Sequence, residues 1–413
     1  MTPADALTAA ERRGLIQDAT DRDGLAQRMQ APLTAYAGFD PTAGSLHVGH
    51  LVPIMLLRLL ARHGHTAIAV IGGVTAQIGD PSGRQQARQL LETDTVAGNV
   101  ARLRGQLTGL LGDTATILDN ADWLAPQSLP AFLRDIGPHF QVSRMLAADA
   151  VARRLDAGTG LSALEFFYPL LQAADFLTLF RTHGCRLQIG GSDQWSNICA
   201  GIDLIRRVEG DRTFGLTQPL VTAANGAKMG KTAQGAVWLD PELTDDQSFF
   251  QFWRNTDDRD VARFLRLFTE LDEAAIQDLT AEGGAALNAA KARLAREVTA
   301  LVHGPEVAER QARAAQAVFA GDGRTAELPE IAIATDQLAQ GLSLAALLHE
   351  QGLAPSRSAA RRLLAQGGVR LNGTRQGPDD TLAPDDLAGG HARLSVGRKR
   401  HFSLIPQGSG GAG

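Results

Sequence analysis

Short apolar runs of strand length punctuate the first half of the chain, at Leu33–Phe39, Thr66–Val74, Thr114–Leu118, Cys185–Ile189 and Pro219–Thr222. Between them lie longer stretches in which apolar positions recur at helical spacing. His47–His63 is one, and Gly64 follows it as the residue just past a helix end. Strands alternating with helices predict an α/β fold with a doubly wound parallel sheet. On such sheets ligands gather at the carboxyl ends of the strands, so polar residues just beyond those runs are the first candidates for chemistry.

After about Asp240 the character changes to a helical pattern that ends near Gly321. Thr244-Asp245-Asp246-Gln247 reads as a capping box opening an aromatic-rich helix with Phe249, Phe250, Phe252 and Trp253; Ala289–His303 is a second helix, stopped by Gly304. Four segments result: a Rossmann-like α/β domain over 1–240, an all-α domain over 241–321, a Gly-, Thr- and Pro-containing linker over 322–340, and a small module over 341–413. A chain of 413 residues is long enough for two or three cores.

Composition narrows the class. Hydrophobic residues at 44% and charged residues at 21% are ordinary for a water-exposed globule. The most apolar run, Leu51–Leu60, is short and interrupted by Arg58, and the N-terminus lacks a leader-like apolar stretch. That pattern is expected of a protein with no membrane partner, and two cysteines, which cannot build a disulfide framework or a four-cysteine zinc site, point to a reduced cytoplasm. The net charge of −5 is uneven: from Gln351 onward nine Lys/Arg stand against four acids, a local +5 that leaves −10 for the rest. A basic end segment on an acidic body suggests a polyanionic partner.

Five segments could carry chemistry. In Asp40-Pro41-Thr42-Ala43-Gly44-Ser45-Leu46-His47-Val48-Gly49-His50 a strand ends, the chain turns, and a helix begins with His47 and His50 on one face. Free N–H groups at a helix start favour phosphate, and Gly49 leaves room for a nucleotide against the backbone. A zinc reading lacks further ligands nearby. Lys228-Met229-Gly230-Lys231-Thr232 follows a turn at Asn225-Gly226; it misses a P-loop because Asn225 stands where Gly is required, but two lysines beside a glycine can still neutralise a pyrophosphate. Leu187–Trp195 runs into Gly190-Gly191 and then Asp193 and Gln194, where a carboxylate at a strand end can hold a ribose. Tyr168, Gln172 and Asp175 share one face of an apolar helix, a costly stripe unless it is paired or lines a pocket. Gly79-Asp80-Pro81-Ser82-Gly83-Arg84, with Arg88 beyond, adds a carboxylate and two cations.

As an ordered set these segments resemble the class I aminoacyl-tRNA synthetases. His47-Val48-Gly49-His50 is similar to their His-Ile-Gly-His motif, and Lys228–Thr232 to their Lys-Met-Ser-Lys-Ser loop. Tyr36–Thr42, Gly79–Ser82, Leu187–Trp195 and Gln251–Asp258 narrow the resemblance to the bacterial tyrosyl-tRNA synthetase family. The resemblance implies a homodimeric ligase that takes L-tyrosine, ATP with Mg2+ on its phosphates, and tRNA(Tyr), with no dedicated metal site in the protein. It implies that Tyr36 and Asp175 hold the substrate phenol. It implies that Asp80, Tyr168, Gln172 and Gln194 surround the rest of the amino acid, and that Asp40, Gly49, Gly191 and Asp193 meet the adenylate. Thr42, His47 and His50, with Lys228, Lys231, Thr232, Arg84 and Arg88, would meet the phosphates. The chain departs from the family pattern at Ala76, Gln77, Arg84, Ala174 and Ser196.

The end module resembles an S4-type RNA-binding domain through Ser343–Leu348, Ser356–Leu364 and Gly368–Gly373, and is expected to be a small α+β fold. Arg357 and Arg361 fall four apart on one helix face, with Arg362 adjacent and Arg370 on a following strand, a set suited to phosphates.

Overall fold

The computed structural model describes residues 2–82, 91–158, 160–224, 226, 229–232, 235–320, 328–339, 341–387, 390–397 and 400–407. The chain forms two compact units, Met1–Gly304 and Pro305–Gly413.

The first unit is built on a six-stranded sheet: β1 (Asp18–Ala19), β2 (Thr34–Phe39), β3 (Thr66–Ile71), β4 (Ala115–Asp119), β5 (Cys185–Gly191) and β6 (Phe214–Gln218), in the order β1-β6-β5-β2-β3-β4. Strands β2 to β6 are parallel and β1 is a short antiparallel edge on β6. From β2 the chain adds β3 and β4 on one side, then returns to place β5 and β6 on the other. The order therefore reverses between β2 and β5, and the crevice at their carboxyl ends is where such sheets bind ligands.

One expected strand is displaced. Pro219–Thr222 is not part of the sheet; its place is taken by β6, Phe214–Gln218, which ends just before Pro219. Proline has no N–H to give a ladder, while Phe214–Gln218 is buried along its whole length despite Gly215 and Gln218. The third strand also stops at Ile71, with Gly72 and Gly73 already turning.

The crossover helices are α1 (Leu51–Arg62), α2 (Thr93–Leu111), α3 (Ala163–His183) and α4 (Trp195–Val208). Helix α1 buries Leu51, Ile54, Leu56 and Leu57. Helix α3 starts with a reciprocal cap: Ser162 Oγ accepts the Glu165 N–H at 3.2 Å and Glu165 Oε2 accepts the Ser162 N–H at 3.2 Å. It ends at Gly184, whose φ of +61° a residue with a Cβ adopts only with strain.

The helical stretch of this unit comprises α5 (Asp246–Arg254), α6 (Val261–Phe268) and α7 (Leu287–His303), packed around Trp253, which meets Phe249, Phe264 and Phe268 edge-on. The cap of α5 is Asp245, whose Oδ1 accepts the Ser248 N–H at 2.9 Å. Thr244, expected to share that task, instead accepts the Trp238 N–H at 3.0 Å.

The second unit begins with helix α8 (Pro305–Ala320). Its main sheet has the order β12-β11-β14-β15-β9, from β9 (Glu330–Ala334), β11 (Val369–Leu371), β12 (Thr374–Arg375), β14 (Ala392–Val396) and β15 (Arg400–Gln407). A two-stranded piece pairs β10 (Leu342–Ser343) with β13 (Thr381–Leu382). Helices α9 (Leu344–Glu350) and α10 (Arg357–Ala365) complete it, and Leu344, Leu348, Leu364, Val369 and Leu394 share its core. The segment read as a linker contributes to this fold: β9 lies parallel to β15 with Ile331 and Ile333 buried, and Thr335–Ala339 forms a helical turn. Glu330–Ala334 alternates buried and exposed residues, the period of a half-buried strand.

Candidate active site

The carboxyl ends of β2, β3, β4 and β5 bring the polar residues together. Asp40 follows β2. Its Oδ1 accepts the Thr75 hydroxyl at 2.8 Å and its Oδ2 accepts the Tyr168 hydroxyl at 3.0 Å. A Cβ at Gly72 would lie 2.0 Å from Asp40 Oδ1, so only glycine there allows this carboxylate its place. Thr42 closes the turn, its N–H on the Asp40 carbonyl at 2.8 Å.

From Thr75 the network runs inward. Asn120, just past β4, donates to Thr75 Oγ1 at 3.1 Å and to Asp175 Oδ2 at 3.0 Å, while the Trp123 indole N–H donates to Asp175 Oδ1 at 2.7 Å. Burial pushes the Asp175 carboxyl up to about 7, against the two hydrogen bonds that favour its charge. The buried Tyr36 hydroxyl has no hydrogen-bond partner among the described residues. Burial, then the Asp175 charge, raises its pKa well above the ordinary tyrosine value. Asp175 and Tyr36, expected as a pair, are thus not hydrogen-bonded to each other.

A second cluster surrounds Asp80. Its Oδ1 accepts the Ser82 N–H at 2.8 Å and its Oδ2 accepts Gln194 Nε2 at 2.6 Å. The buried Asn197 on α4 donates toward Gln172 Oε1 at 3.0 Å and Gln194 Oε1 at 3.2 Å. Gly191 ends β5, and a Cβ there would sit 2.6 Å from Asp193 Oδ1. Tyr168, Gln172 and Asp175 lie on one face of α3, and the spacing over Tyr168–Asp175 covers about 10 Å at 1.5 Å per residue.

The histidines cap a helix rather than decorating it. A 3-10 turn, Val48–His50, leads into α1. His47 Nδ1 accepts the Gly49 N–H at 3.0 Å, and His50 Nδ1 accepts the His47 N–H at 3.1 Å. A backbone N–H can only donate, so both Nδ1 atoms are acceptors and the neutral His50 ring carries its proton on Nε2. The protein packed around His50, then the neighbouring His47, pushes its pKa down to about 3, so it is a neutral donor. A Cβ on Gly49 would come within 2.8 Å of the His47 ring.

The same turn is tied to the lysine-containing segment. Val48 N–H donates to the Val237 carbonyl at 3.0 Å, Leu239 N–H to Leu46 at 2.8 Å, and Val237 N–H to Gly230 at 2.7 Å. Lys231–Thr232 form β7, paired antiparallel with β8 (Gly235–Ala236). Lys228, Arg84 and Arg88 lie outside the described residues. In the second unit Arg357, Arg361, Arg362 and Arg370 are all exposed, the first three on α10 and the last on β11.

Sequence reading missed Thr75, Asn120, Trp123, Asn197 and Trp238. Asn120 had a usable signal, since it immediately follows a strand. The others each meet at least one partner distant in sequence, Asp40, Asp175, Gln172 or His47, which no local pattern shows.

Residues 27–320 match the model of the class I tRNA synthetases of the tryptophan and tyrosine group, and residues 343–387 match the S4 domain. The chain belongs to that synthetase family. It is 47% identical over 409 residues to a tyrosine–tRNA ligase of Gluconobacter oxydans, spanning 97% of this chain and 98% of that one. It is 48% identical over 404 residues to tyrosine–tRNA ligase 1 of Pseudomonas aeruginosa, spanning 97% of both. Among solved structures it resembles a C-terminally truncated mitochondrial tyrosyl-tRNA synthetase of Aspergillus nidulans. The TM-score is 0.71 and the identity 31%, over 76% of this chain and 94% of that one. A tyrosyl-tRNA synthetase of Archaeoglobus fulgidus, at 16% identity and a TM-score of 0.56, shares the fold.

Proposed function

We propose that this chain is a tyrosine–tRNA ligase, which activates L-tyrosine with ATP, releases pyrophosphate, and transfers the tyrosyl group to the terminal adenosine of tRNA(Tyr). The observation that carries the choice of tyrosine is the buried Tyr36 hydroxyl without a partner beside the buried Asp175 carboxyl. A phenol O–H bridging the two gives the Tyr36 hydroxyl a partner and Asp175 a further donor, whereas a phenyl or indole ring leaves the Tyr36 hydroxyl unpaired at a cost of about 1–3 kcal/mol.

The rest of α3 fits the other end of the same molecule. The helical spacing from Asp175 to Tyr168 suits a substrate polar at both ends and apolar between. Asp80, Tyr168 and Gln172 face the ammonium, and Gln194 the carboxylate side. Asp40, Gly191 and Asp193 serve the adenosine, with Gly49 admitting it to the helix start.

Activation requires no protein nucleophile. The tyrosine carboxylate attacks the α-phosphorus of ATP, the bond to the bridging oxygen breaks, and pyrophosphate leaves with the charge. The protein supplies orientation and charge stabilisation. His50 donates through Nε2 at no cost in proton transfer, and His47 and Thr42 flank it. Lys228, Lys231 and Thr232, with Arg84 and Arg88, are assigned to the leaving pyrophosphate by their match to the family motifs. Magnesium is assigned to the ATP phosphates; among the described residues no three His, Cys, Asp or Glu side chains converge to hold a metal. A ribose hydroxyl of the tRNA end then attacks the tyrosyl carbonyl, and AMP departs.

Residues 1–240 are assigned to this chemistry, 241–321 to the anticodon region of the tRNA, and 341–413 to RNA through Arg357, Arg361, Arg362 and Arg370. Homodimerisation is supported by the apolar surface. Of ten exposed large hydrophobic side chains among the described residues, seven lie between Leu129 and Phe167. No helix among the described residues is long and apolar enough to cross a membrane, and the reading places the protein in the cytoplasm.

Tyr36→Phe tests the choice of substrate. It should raise the KM for tyrosine in pyrophosphate exchange and narrow the preference for tyrosine over phenylalanine by about tenfold; an unchanged preference would remove Tyr36 from the pocket.

A further inference from the structure

The Asp80 carboxylate dictates the orientation of three neighbouring amides. A carboxylate only accepts, so Gln194 must turn its amide nitrogen toward Asp80 Oδ2, 2.6 Å away. Its Oε1 then faces Asn197, whose Nδ2 lies 3.2 Å from it. Asn197 Nδ2 is a donor there, and it reaches Gln172 Oε1 at 3.0 Å with its second hydrogen. Ser82 Oγ and Asp80 Oδ1, at 3.4 Å and 3.5 Å, are the more distant acceptors around the same nitrogen. Asn197 is 3% exposed and projects from α4 rather than from α3, the helix that carries Tyr168, Gln172 and Asp175.

We propose that Asn197 is a positioning residue that locks the amides of Gln172 and Gln194, with Gln172 Oε1 held as an acceptor and Gln194 fixed against Asp80, so that this side of the pocket fits the ammonium of the amino acid. The inference rests on the tyrosine-activating reading. Without Asn197 the Gln172 and Gln194 oxygens lose their common donor; Asp80 still holds the Gln194 nitrogen, but Gln172 is free to flip, and the ammonium meets its amide nitrogen as often as its oxygen. The phenol end of the pocket, on Asp175, Asn120 and Trp123, shares no hydrogen bond with Asn197 and stays intact.

Asn197→Asp is nearly isosteric but replaces the donor by an acceptor facing four oxygens. In pyrophosphate exchange it should raise the KM for tyrosine about tenfold or more, with the KM for ATP changing by less than about twofold. Lowering the pH from about 8 to about 6 should bring the variant's kcat/KM back toward wild type, because the introduced carboxyl regains an O–H. Asn197→Leu should show the same KM defect without recovery in acid, and Asn197→Ser carries the comparison if the Asp variant does not fold. Inhibition by the deaminated analogue of tyrosine should be equal in wild type and variants. Equal tyrosine KM in wild type and Asn197→Asp, or a defect that falls equally on the deaminated analogue, overturns the inference while the function stands. Absence of tyrosine-dependent exchange in the wild type overturns the functional reading and this inference with it.

Discussion

Trp238 faces His47 across a single antiparallel bridge, with their rings 6.2 Å apart. Through it the helix start bearing the histidines and the segment bearing Gly230 and Lys231 share backbone hydrogen bonds, so neither can shift without the other. Gly230 is the tight point: its φ is +79°, and a Cβ there would lie 2.5 Å from Val48 Cγ2. Gly230→Ala should therefore cost about 1–2 kcal/mol in backbone strain and lower the kcat of exchange. Equilibrium binding of tyrosine, measured by dialysis, should stay unchanged; a loss of tyrosine binding would contradict the link.

Asp175 sets a pH dependence with a definite sign. Its folded pKa is raised from 3.8 to about 7, so between those values the folded state holds a proton that the unfolded state has lost. That contribution to stability is full below about 4 and disappears as pH rises through about 7. Relative to an Asp175→Asn variant, the wild type should lose thermal stability over this window. The phenol O–H needs the ionised form as acceptor, so wild-type kcat/KM for tyrosine should rise through about 7 and the variant's should be flat. Parallel pH profiles for the two proteins would remove Asp175 from the phenol end.

Glu165 and Arg154 form a buried ion pair at 2.6 Å, their side chains 7% and 4% exposed. Glu165 also caps α3, the helix that carries Tyr168, Gln172 and Asp175. Its burial raises the carboxyl pKa, but the Arg154 and Ser162 hydrogen bonds prevail and hold it below the usual glutamate value. Glu165→Gln leaves a buried arginine partly uncompensated and should destabilise the protein by about 3 kcal/mol or more in urea unfolding. A change below about 1 kcal/mol would show that the guanidinium finds another partner.

Arg357 and Arg361 are exposed, and their ion pairs with Glu350 and Asp379, at 3.1 Å and 3.5 Å, lie in water and cost little to exchange for phosphate. Replacing both by alanine should weaken tRNA binding and reduce the slope of log K against log salt by roughly 0.7–0.9 per lost phosphate contact. Pyrophosphate exchange without tRNA should be unaffected. An unchanged salt slope would assign that face to solvent.

The parallel sheet was legible because its strands are apolar runs bounded by turn residues, and strand ends then pointed to Asp40, Asp80 and Asp193. The stripe Tyr168, Gln172, Asp175 was legible from its period on one helix. The strand Phe214–Gln218 was hidden because Gly215 and Gln218 interrupt its apolar character; burial comes from the neighbours, not from the run itself. Strand Glu330–Ala334 was hidden because it pairs with β15, some seventy residues on in the chain. The supporting residues Thr75, Trp123 and Asn197 were illegible for the same reason, whereas Asn120 directly follows a strand and could have been read. Each of those three is ordinary locally and gains its role only when folding brings a carboxylate to it.

The most direct measurement is exchange of labelled pyrophosphate into ATP by the purified protein, with tyrosine, phenylalanine or tryptophan as the amino acid. The account predicts exchange with tyrosine, little with the other two, and loss of the tyrosine-dependent rate in Asp175→Ala with the fold intact by thermal melting. Exchange driven equally by tryptophan or phenylalanine, or an undiminished rate in Asp175→Ala, would contradict it.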